Sequence, residues 1–286
     1  MIVERKKTVP TSCFVHANGI DIHYLEAGKG TPLVLLHGGL VSSNPIWAGV
    51  PVSYADHLAQ FAEHFRVIAP DTRGAGKTIH QGGEPTFDLL VDDVLALIEA
   101  LSLDRPLIAG FSEGGITAAI LAIRRPDAVS ALVDDAGHDF FNPEARSYAI
   151  MRQMLGGSLQ ATQADPDAVA ASFGESPQMQ GLFELFKADE DGGQGDGHWR
   201  DYLKLVFPRT TSWPGYGFAD LRKLKVPALI LVGDRDEYCS VEEAILALRE
   251  LPDGELAVLP GTGHVITPAG VAATIEFFER RLATKD

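Results

Sequence analysis

Short apolar segments alternate with helical patterns along most of this chain. The apolar segments are strand-length and nearly continuous in Val, Ile and Leu, which is typical of parallel strands covered on both faces. Alternation of such strands with helices predicts an α/β fold with a doubly wound, mostly parallel sheet. The predicted strands are Pro32–Leu36, Arg66–Pro70, Pro106–Gly110, Ala131–Val133, Pro227–Val232 and Glu255–Leu259.

Amphipathic helices are predicted between these strands. In Phe87–Leu103, the apolar residues Leu90, Val94 and Leu97 fall on one helical face. Similar patterns cover Gly114–Arg125, Val241–Leu251 and Gly270–Leu282. The segment Phe14–Glu26 alternates instead, and we predict an antiparallel hairpin that turns at Asn18-Gly19.

The alternation breaks once, between Gly137 and about Asp220. This stretch holds helical patterns but no good strand, and its Gly/Asp-rich part is predicted to be a loop. The helical patterns are Pro143–Leu155, Pro177–Lys187 and His198–Val206, and the predicted loop is Asp189–Gly197. We therefore predict a core domain of residues 1–137 and 221–286, with a helical cap of residues 138–220 over the carboxyl edge of the sheet.

Composition limits the partners and the compartment. The 286 residues carry a formal net charge of −15, which leaves no basic surface for nucleic acid. We find neither a signal peptide nor an apolar run of the roughly 20 residues that span a bilayer. The two cysteines, Cys13 and Cys239, are expected to be unpaired thiols. We expect a cytoplasmic monomer or homodimer with a small-molecule substrate, and neither a nucleic-acid nor a membrane partner.

A Gly-x-Ser-x-Gly motif closes one predicted strand and opens a helix. It reads Gly110-Phe-Ser112-Glu-Gly114. Such a turn is too tight for side chains beside the serine, and it exposes the serine hydroxyl at the start of a helix. In this position Ser112 is a candidate nucleophile.

A base and an acid follow the serine in the chain. A serine attacks efficiently only when a base takes its proton and a third group orients that base. His264 lies in the loop after the last predicted strand, and Asp234 and Asp236 follow the strand before it. Either carboxylate is placed to orient His264, which is the candidate base.

At these residues the chain resembles the α/β-hydrolase superfamily. The resemblance covers nearly the whole chain outside the predicted cap, and it implies an eight-stranded sheet with an inserted cap. It also implies that Asp236 is the acid, because members carry a Gly-x-x-Asp pattern like Gly233-Asp-Arg-Asp236. The segment His37-Gly38-Gly39-Leu40 resembles the family's His-Gly segment. By that resemblance, the backbone N–H groups of Gly39 and Glu113 form the oxyanion hole.

One motif suggests a rival function, phosphate binding. Gly76-Lys77-Thr78 looks like the end of a phosphate-binding loop, which requires Gly-x-x-x-x-Gly-Lys-Ser/Thr. The first position is Asp71, whose carboxylate would repel a phosphate. The superfamily has a matching Asp-x-Arg-Gly-x-Gly turn that braces the active-site loops, and we favour that interpretation.

The residues around the nucleophile suggest a substrate preference. Glu113 follows Ser112, and hydrolases of amino-acid esters that resemble valacyclovir hydrolase carry an acidic residue there. Glu113 could pair with a substrate amine, or it could simply be a helix N-terminal carboxylate. Candidates for the substrate pocket are Leu40, Trp47, Glu113, Phe140, Phe141 and Trp199. Most aromatic residues of the cap are expected to pack in its core.

The expected function is hydrolysis of an ester, lactone, thioester or amide of a small molecule through an acyl-enzyme on Ser112. No metal or organic cofactor is expected. The superfamily also includes C–C bond hydrolases, lyases and cofactor-free perhydrolases on the same triad, and non-catalytic receptors. These remain alternatives. Its epoxide hydrolase and haloalkane dehalogenase branches use an aspartate where Ser112 stands, so they are excluded.

Overall fold

A computed structural model describes residues 9–81, 86–154, 165–173 and 177–283. The chain begins with the predicted hairpin, β1 (Thr11–Ala17) and β2 (Ile20–Ala27), paired antiparallel. Asn18 and Gly19 at its turn have φ angles of 47° and 74°. Asn and Gly adopt this left-handed backbone at low cost, so the Asn-Gly pair fixes the turn.

The remaining strands complete the predicted eight-stranded sheet. Their order is β1-β2-β4-β3-β5-β6-β7-β8, and every pair from β4 to β8 is parallel. Because the parallel strands run in the same direction, their carboxyl ends meet at one edge of the sheet. The strands are β3 (Pro32–Leu36), β4 (Arg66–Pro70), β5 (Leu107–Phe111), β6 (Ala131–Asp135), β7 (Ala228–Gly233) and β8 (Gly254–Leu259).

Helices cover this sheet and its carboxyl edge. All residues of β5, β6 and β7 are buried, which explains their continuous apolar sequence. Outside the stretch between β6 and β7, the described α-helices are α1 (Leu58–Ala62), α2 (Phe87–Ala100), α3 (Glu113–Arg124), α8 (Val241–Glu250) and α9 (Pro268–Ala283). No helix in the described ranges is long and apolar enough to cross a membrane.

In the described part of the chain, four α-helices and two 3₁₀ turns lie between β6 and β7. The 3₁₀ turns are His138–Phe141 and Phe218–Lys223, and the helices are α4 (Arg146–Met154), α5 (Pro166–Phe173), α6 (Pro177–Gln194) and α7 (His198–Thr211). The described part of this stretch contains no strand, as the sequence predicts. Residue 155, the last of the predicted helix Pro143–Leu155, lies outside the described residues. The division into core and cap at residues 138–220 remains a prediction.

The predicted loop Asp189–Gly197 is wrong over Asp189–Gln194, because α6 continues to Gln194. Tertiary contacts stabilise this Gly/Asp-rich end of the helix. Asp189 accepts hydrogen bonds from the Ser42 hydroxyl at 2.6 Å and from Nε1 of Trp47 at 2.6 Å. Glu190 accepts from the N–H of Gly76 at 3.2 Å. These bonds hold α6 against loops that follow β3 and β4, and tertiary context overrides the weak local propensity.

Candidate active site

Ser112 lies in a strained turn between β5 and α3. Its φ and ψ angles are 51° and −116°, a combination that non-glycine residues rarely adopt. A Cβ atom at Gly110 would lie 2.1 Å from the carbonyl oxygen of Gly114, and one at Gly114 would lie 2.2 Å from that of Leu36. Both glycines are therefore required by close backbone approach. Strain of this kind, of order 1–3 kcal/mol, is typical of functional positions.

His264 and Asp236 form a hydrogen-bonded pair. Nδ1 of His264 lies 2.8 Å from Oδ2 of Asp236, and the Asp236 carboxylate is fully buried. Oδ1 of Asp236 accepts from the N–H groups of Tyr238 and Cys239 at 2.8 Å and 2.9 Å. Burial acts to raise the pKa of Asp236, but His264 and these two N–H groups outweigh it and hold that pKa below its usual value. Asp236 is thus a fixed anion that orients the imidazole.

Asp234, the other candidate acid, has different partners. Its carboxylate accepts from the N–H of Thr262 at 3.3 Å and is partly exposed. A Cβ atom at Gly233 would lie 2.1 Å from the carbonyl oxygen of Thr262, so the loops after β7 and β8 touch at this glycine. This contact brings Asp236, and not Asp234, to the His264 ring.

The imidazole of His264 lies next to the turn that holds Ser112. Its ring is 4.8 Å from that of Phe111, which precedes Ser112, and 4.8 Å from that of Tyr238. Within the described residues, the Ser112 hydroxyl makes no hydrogen bond. Catalytic hydrogen bonds are often long before substrate binds and tighten in the complex.

The His-Gly segment lies against the serine. A Cβ atom at Gly38 would be 3.5 Å from Cβ of Ser112, and Leu40 has a left-handed φ of 62°. No hydrogen bond within the described residues uses the backbone N–H of Gly39 or Glu113. The His37 ring is buried, and both of its nitrogens are hydrogen-bonded: Nε2 accepts from the Thr72 N–H and Nδ1 donates to the carbonyl of Gly38. His37 therefore braces the loop.

Glu113 has a partner that sequence reasoning missed. Nη2 of Arg209 in α7 donates to Oε1 of Glu113 over 2.6 Å, and both side chains are buried. Oε1 of the carboxylate is therefore used by Arg209, and the buried side chain is not solvated at a helix end. Nothing in the spacing of the chain connects residues 113 and 209, which only the placement of α7 brings together.

The aromatic pocket candidates are used mainly in packing. Trp47 is 2% exposed and donates to Asp189, so it does not line an opening. Trp199 packs edge to face on Phe183, with ring centroids 5.2 Å apart. Phe140 and Phe141 belong to the main core, while Leu40 packs beside a second apolar cluster that includes Trp47 and Trp199.

The Asp71 turn contains a second Ser–His–Asp arrangement. The Ser12 hydroxyl lies 2.8 Å from Nε2 of His23, whose Nδ1 lies 2.7 Å from Oδ2 of the buried Asp71. Asp71 also accepts from Ser43 and from the N–H of Lys77. These bonds make Asp71 a brace between loops, which agrees with the family turn and not with a phosphate cradle. Ser12 lies in the edge strand β1, without the strained backbone of Ser112.

Two groups of side chains have the composition of metal ligands. His138, Asp139 and Cys239 bring candidate donor atoms within 4.8 Å of one another, as do Asp236, Cys239 and His264. In the first group, Cys239 donates to the carbonyl of Ala136, and His138 and Asp139 bond to the backbone of Ser240. The second group contains the hydrogen-bonded pair His264 and Asp236. Members of both groups are therefore already hydrogen-bonded within the protein.

Comparison with known proteins agrees with this geometry. The sequence profile described as alpha/beta hydrolase fold matches residues 31–268. The chain belongs to the alpha/beta hydrolase fold family. The sheet order, the serine turn and the helices between β6 and β7 are the form that the family fold takes in this alpha/beta hydrolase.

Full-length relatives of this alpha/beta hydrolase are enzymes. One is a 2-hydroxy-6-oxo-6-(2'-aminophenyl)hexa-2,4-dienoic acid hydrolase of Metapseudomonas resinovorans, 29% identical over 98% of this chain and 95% of the relative. Another is a bifunctional esterase/perhydrolase of Acinetobacter calcoaceticus, 26% identical over 90% and 94%. The solved 2-hydroxy-6-oxo-6-phenylhexa-2,4-dienoate hydrolase of Rhodococcus superimposes with a TM-score of 0.72 at 19% identity, covering 96% and 99%. The last comparison shows the shared fold alone.

Proposed function

We propose that the protein is a serine hydrolase that transfers an acyl group from a small molecule to water. The observation that carries the proposal is the strained backbone of Ser112 at the start of α3, beside the ring of a histidine held by a buried aspartate. A serine held in this φ/ψ combination between a strand and a helix is typical of a hydroxyl presented for attack.

The proposed reaction uses one base twice. Nε2 of His264 takes the proton of Ser112, whose Oγ attacks the substrate carbonyl carbon. The N–H groups of Gly39 and Glu113 stabilise the resulting oxyanion. His264 then returns its proton to the leaving group, and the acyl group stays on Ser112.

Deacylation repeats these roles with water. His264 removes a proton from the water that attacks the acyl-enzyme, and returns it to Oγ of Ser112 as the acid is released. Asp236 keeps Nδ1 of His264 protonated and stabilises the imidazolium in both halves. The lowered pKa of Asp236 supports this role, because the acid must stay ionised at neutral pH.

The test is a panel of p-nitrophenyl esters of increasing chain length, with lactones, on wild type, Ser112→Ala and Ser12→Ala. Ser12 is the matched control, because it also bonds to a histidine–aspartate pair. We expect Ser112→Ala to lose at least about 10³-fold in kcat. Ser12→Ala should stay near wild type. Equal activity of Ser112→Ala and wild type, or selective loss in Ser12→Ala, overturns the proposal.

A second candidate is hydrolysis of a C–C bond on the same residues. It is favoured by the relative that acts on a 2-hydroxy-6-oxo-dienoic acid and matches 98% of this chain. Turnover of that relative's substrate, with inactivity on the ester panel and loss in Ser112→Ala, would favour this candidate over ester hydrolysis.

A further inference from the structure

Two opposite charges lie buried beside the proposed oxyanion hole. Arg209 and Glu113 are in contact at 2.6 Å, with side chains only 1% and 3% exposed. The second carboxylate oxygen, Oε2 of Glu113, lies 3.4 Å from where a Cβ atom at Gly39 would be. Cγ1 of Val206, one turn before Arg209 in α7, lies 3.7 Å from the same point. The pair therefore adjoins both residues whose N–H groups would bind an oxyanion.

Both charged groups keep a buried polar atom without a partner. Among the described residues, neither Oε2 of Glu113 nor Nε of Arg209 has a hydrogen-bond partner. The buried hydroxyl of Tyr202 lies in the same cluster, beside the charges of Glu113 and Arg209 and next to the Thr72 hydroxyl. An unpaired buried polar group costs about 1–3 kcal/mol, and more when charged. Two such atoms on one buried charge pair indicate a site that is completed by a ligand or by water.

The opposite charges of Glu113 and Arg209 cancel, and this determines which ligand group fits the pair. A carboxylate would be attracted by Arg209 but repelled by Glu113, and an ammonium group would meet the reverse. Both would also lose hydration in a buried site. A neutral group with one donor and one acceptor can bond to Oε2 of Glu113 and to Nε of Arg209 together.

We propose that Glu113 and Arg209 form a charge-neutralised subsite that selects substrates with an uncharged hydroxyl or carboxamide group over those with a carboxylate or an ammonium group. The proposal rests on the serine hydrolase function, and it replaces recognition of an amine by Glu113. Each member of the pair neutralises the charge of the other. Removal of one charge should therefore leave the site with the charge of the remaining member.

The test uses Glu113→Gln, Arg209→Met and the double variant Glu113→Gln/Arg209→Met, with folding checked by thermal melting. The substrates are p-nitrophenyl esters whose acyl chains have equal length and end in a carboxamide, a carboxylate or an ammonium group, in a series of lengths. The readout is the ratio of kcat/KM values between substrates within one variant. Any general loss of catalysis from changes near the oxyanion hole cancels in that ratio.

Wild type should prefer the carboxamide by tenfold or more. Glu113→Gln should shift the ratio towards the carboxylate by at least about tenfold, and Arg209→Met should shift it equally towards the ammonium group. The double variant should return to the carboxamide preference, which a purely structural role of the pair does not predict. Ratios that agree within twofold across all four proteins overturn the proposal.

Binding to the Ser112→Ala protein separates this inference from the proposed function. Calorimetric titration with the same three esters measures their order of affinity without turnover. Carboxamide-selective binding by a protein whose wild-type form hydrolyses none of the esters would support the subsite and contradict the hydrolase. Hydrolysis of all three esters by wild type, with equal affinities of the Ser112→Ala protein for them, would support the hydrolase and contradict the subsite.

Discussion

Asp234 and Asp236 stand two residues apart and have different surroundings. Asp236 is buried and bonds to His264, whereas Asp234 is partly exposed, accepts a 3.3 Å bond from the N–H of Thr262 and lies 3.8 Å from Nε of Arg235. We predict that Asp236→Asn lowers kcat about 10³–10⁴-fold, because an amide donor at this position favours the wrong imidazole tautomer. Asp234→Asn is the matched control and should stay within about threefold of wild type. Steady-state kinetics on the most active ester checks both, and similar losses in the two variants would contradict the assignment.

Single residues were predictable where local chemistry demanded them. Ser112 could be found from sequence because the turn excludes side chains at Gly110 and Gly114, which leaves a visible glycine pattern. The choice of Asp236 over Asp234 needed the family spacing. Arg209 could not be found, since its role depends on a contact between residues 96 positions apart.

At the scale of elements, α6 shows how tertiary contacts extend a helix. Its carboxyl end contains Gly192 and Gly193, which alone favour a loop. A Cβ atom at Gly193 would lie 2.0 Å from the carbonyl oxygen of Gly76, whereas one at Gly192 would have no atom within 4 Å. Gly193 is therefore needed for close approach of α6 to the loop after β4.

These neighbouring glycines give a matched pair of predictions. Gly193→Ala should lower the free energy of unfolding by about 1–3 kcal/mol, because the added methyl group overpacks the contact with Gly76. Gly192→Ala should raise it by about 0.5–1 kcal/mol, because alanine is the better helix former. Urea unfolding of both variants measures this. Equal effects of the same sign would show that α6 does not press on Gly76.

A second link between elements is a pair of carboxyl groups. Asp139, in the 3₁₀ turn after β6, lies beside Glu243 of α8, and Oδ2 of Asp139 and Oε2 of Glu243 have no other partner among the described residues. Two carboxyl groups can hydrogen-bond to each other only if one is protonated. Ser240 N–H and Asn142 Nδ2 satisfy the other oxygens of the pair. Burial, together with the hydrogen bond and charge of Glu243, raises the pKa of Asp139 to about 8. The turn is thus held to α8 by a proton that the protein keeps at neutral pH.

This pair makes stability depend on pH. Between the unfolded pKa of about 3.9 and the folded pKa of about 8, the folded state binds the extra proton, so the free energy of unfolding falls as pH rises through this window. Asp139→Asn replaces the shared proton with an amide donor and should flatten that fall. Urea unfolding from pH 5 to pH 8.5 compares the slopes. A variant slope as steep as that of wild type would contradict the shared proton.

For the whole molecule, the sequence predicted the strands of the sheet more completely than the helices between β6 and β7. Strands such as Pro32–Leu36 and Arg66–Pro70 were predicted to the residue, because burial on both faces leaves an unbroken apolar signal. The helix α5 was missed, and α6 was predicted too short. The end of α6 is held by contacts with distant loops, and α5 packs on α6 and α7. Such contacts leave no periodic pattern in the sequence.

The central claim is that Ser112 is the nucleophile, and covalent labelling tests it most directly. Wild type is treated with a fluorophosphonate, and the modified peptide is located by mass spectrometry, with Ser12→Ala and Ser112→Ala in parallel. The account predicts one adduct, on Ser112, in wild type and Ser12→Ala, and none in Ser112→Ala. An adduct on Ser12, or equal labelling of Ser112→Ala, would contradict it.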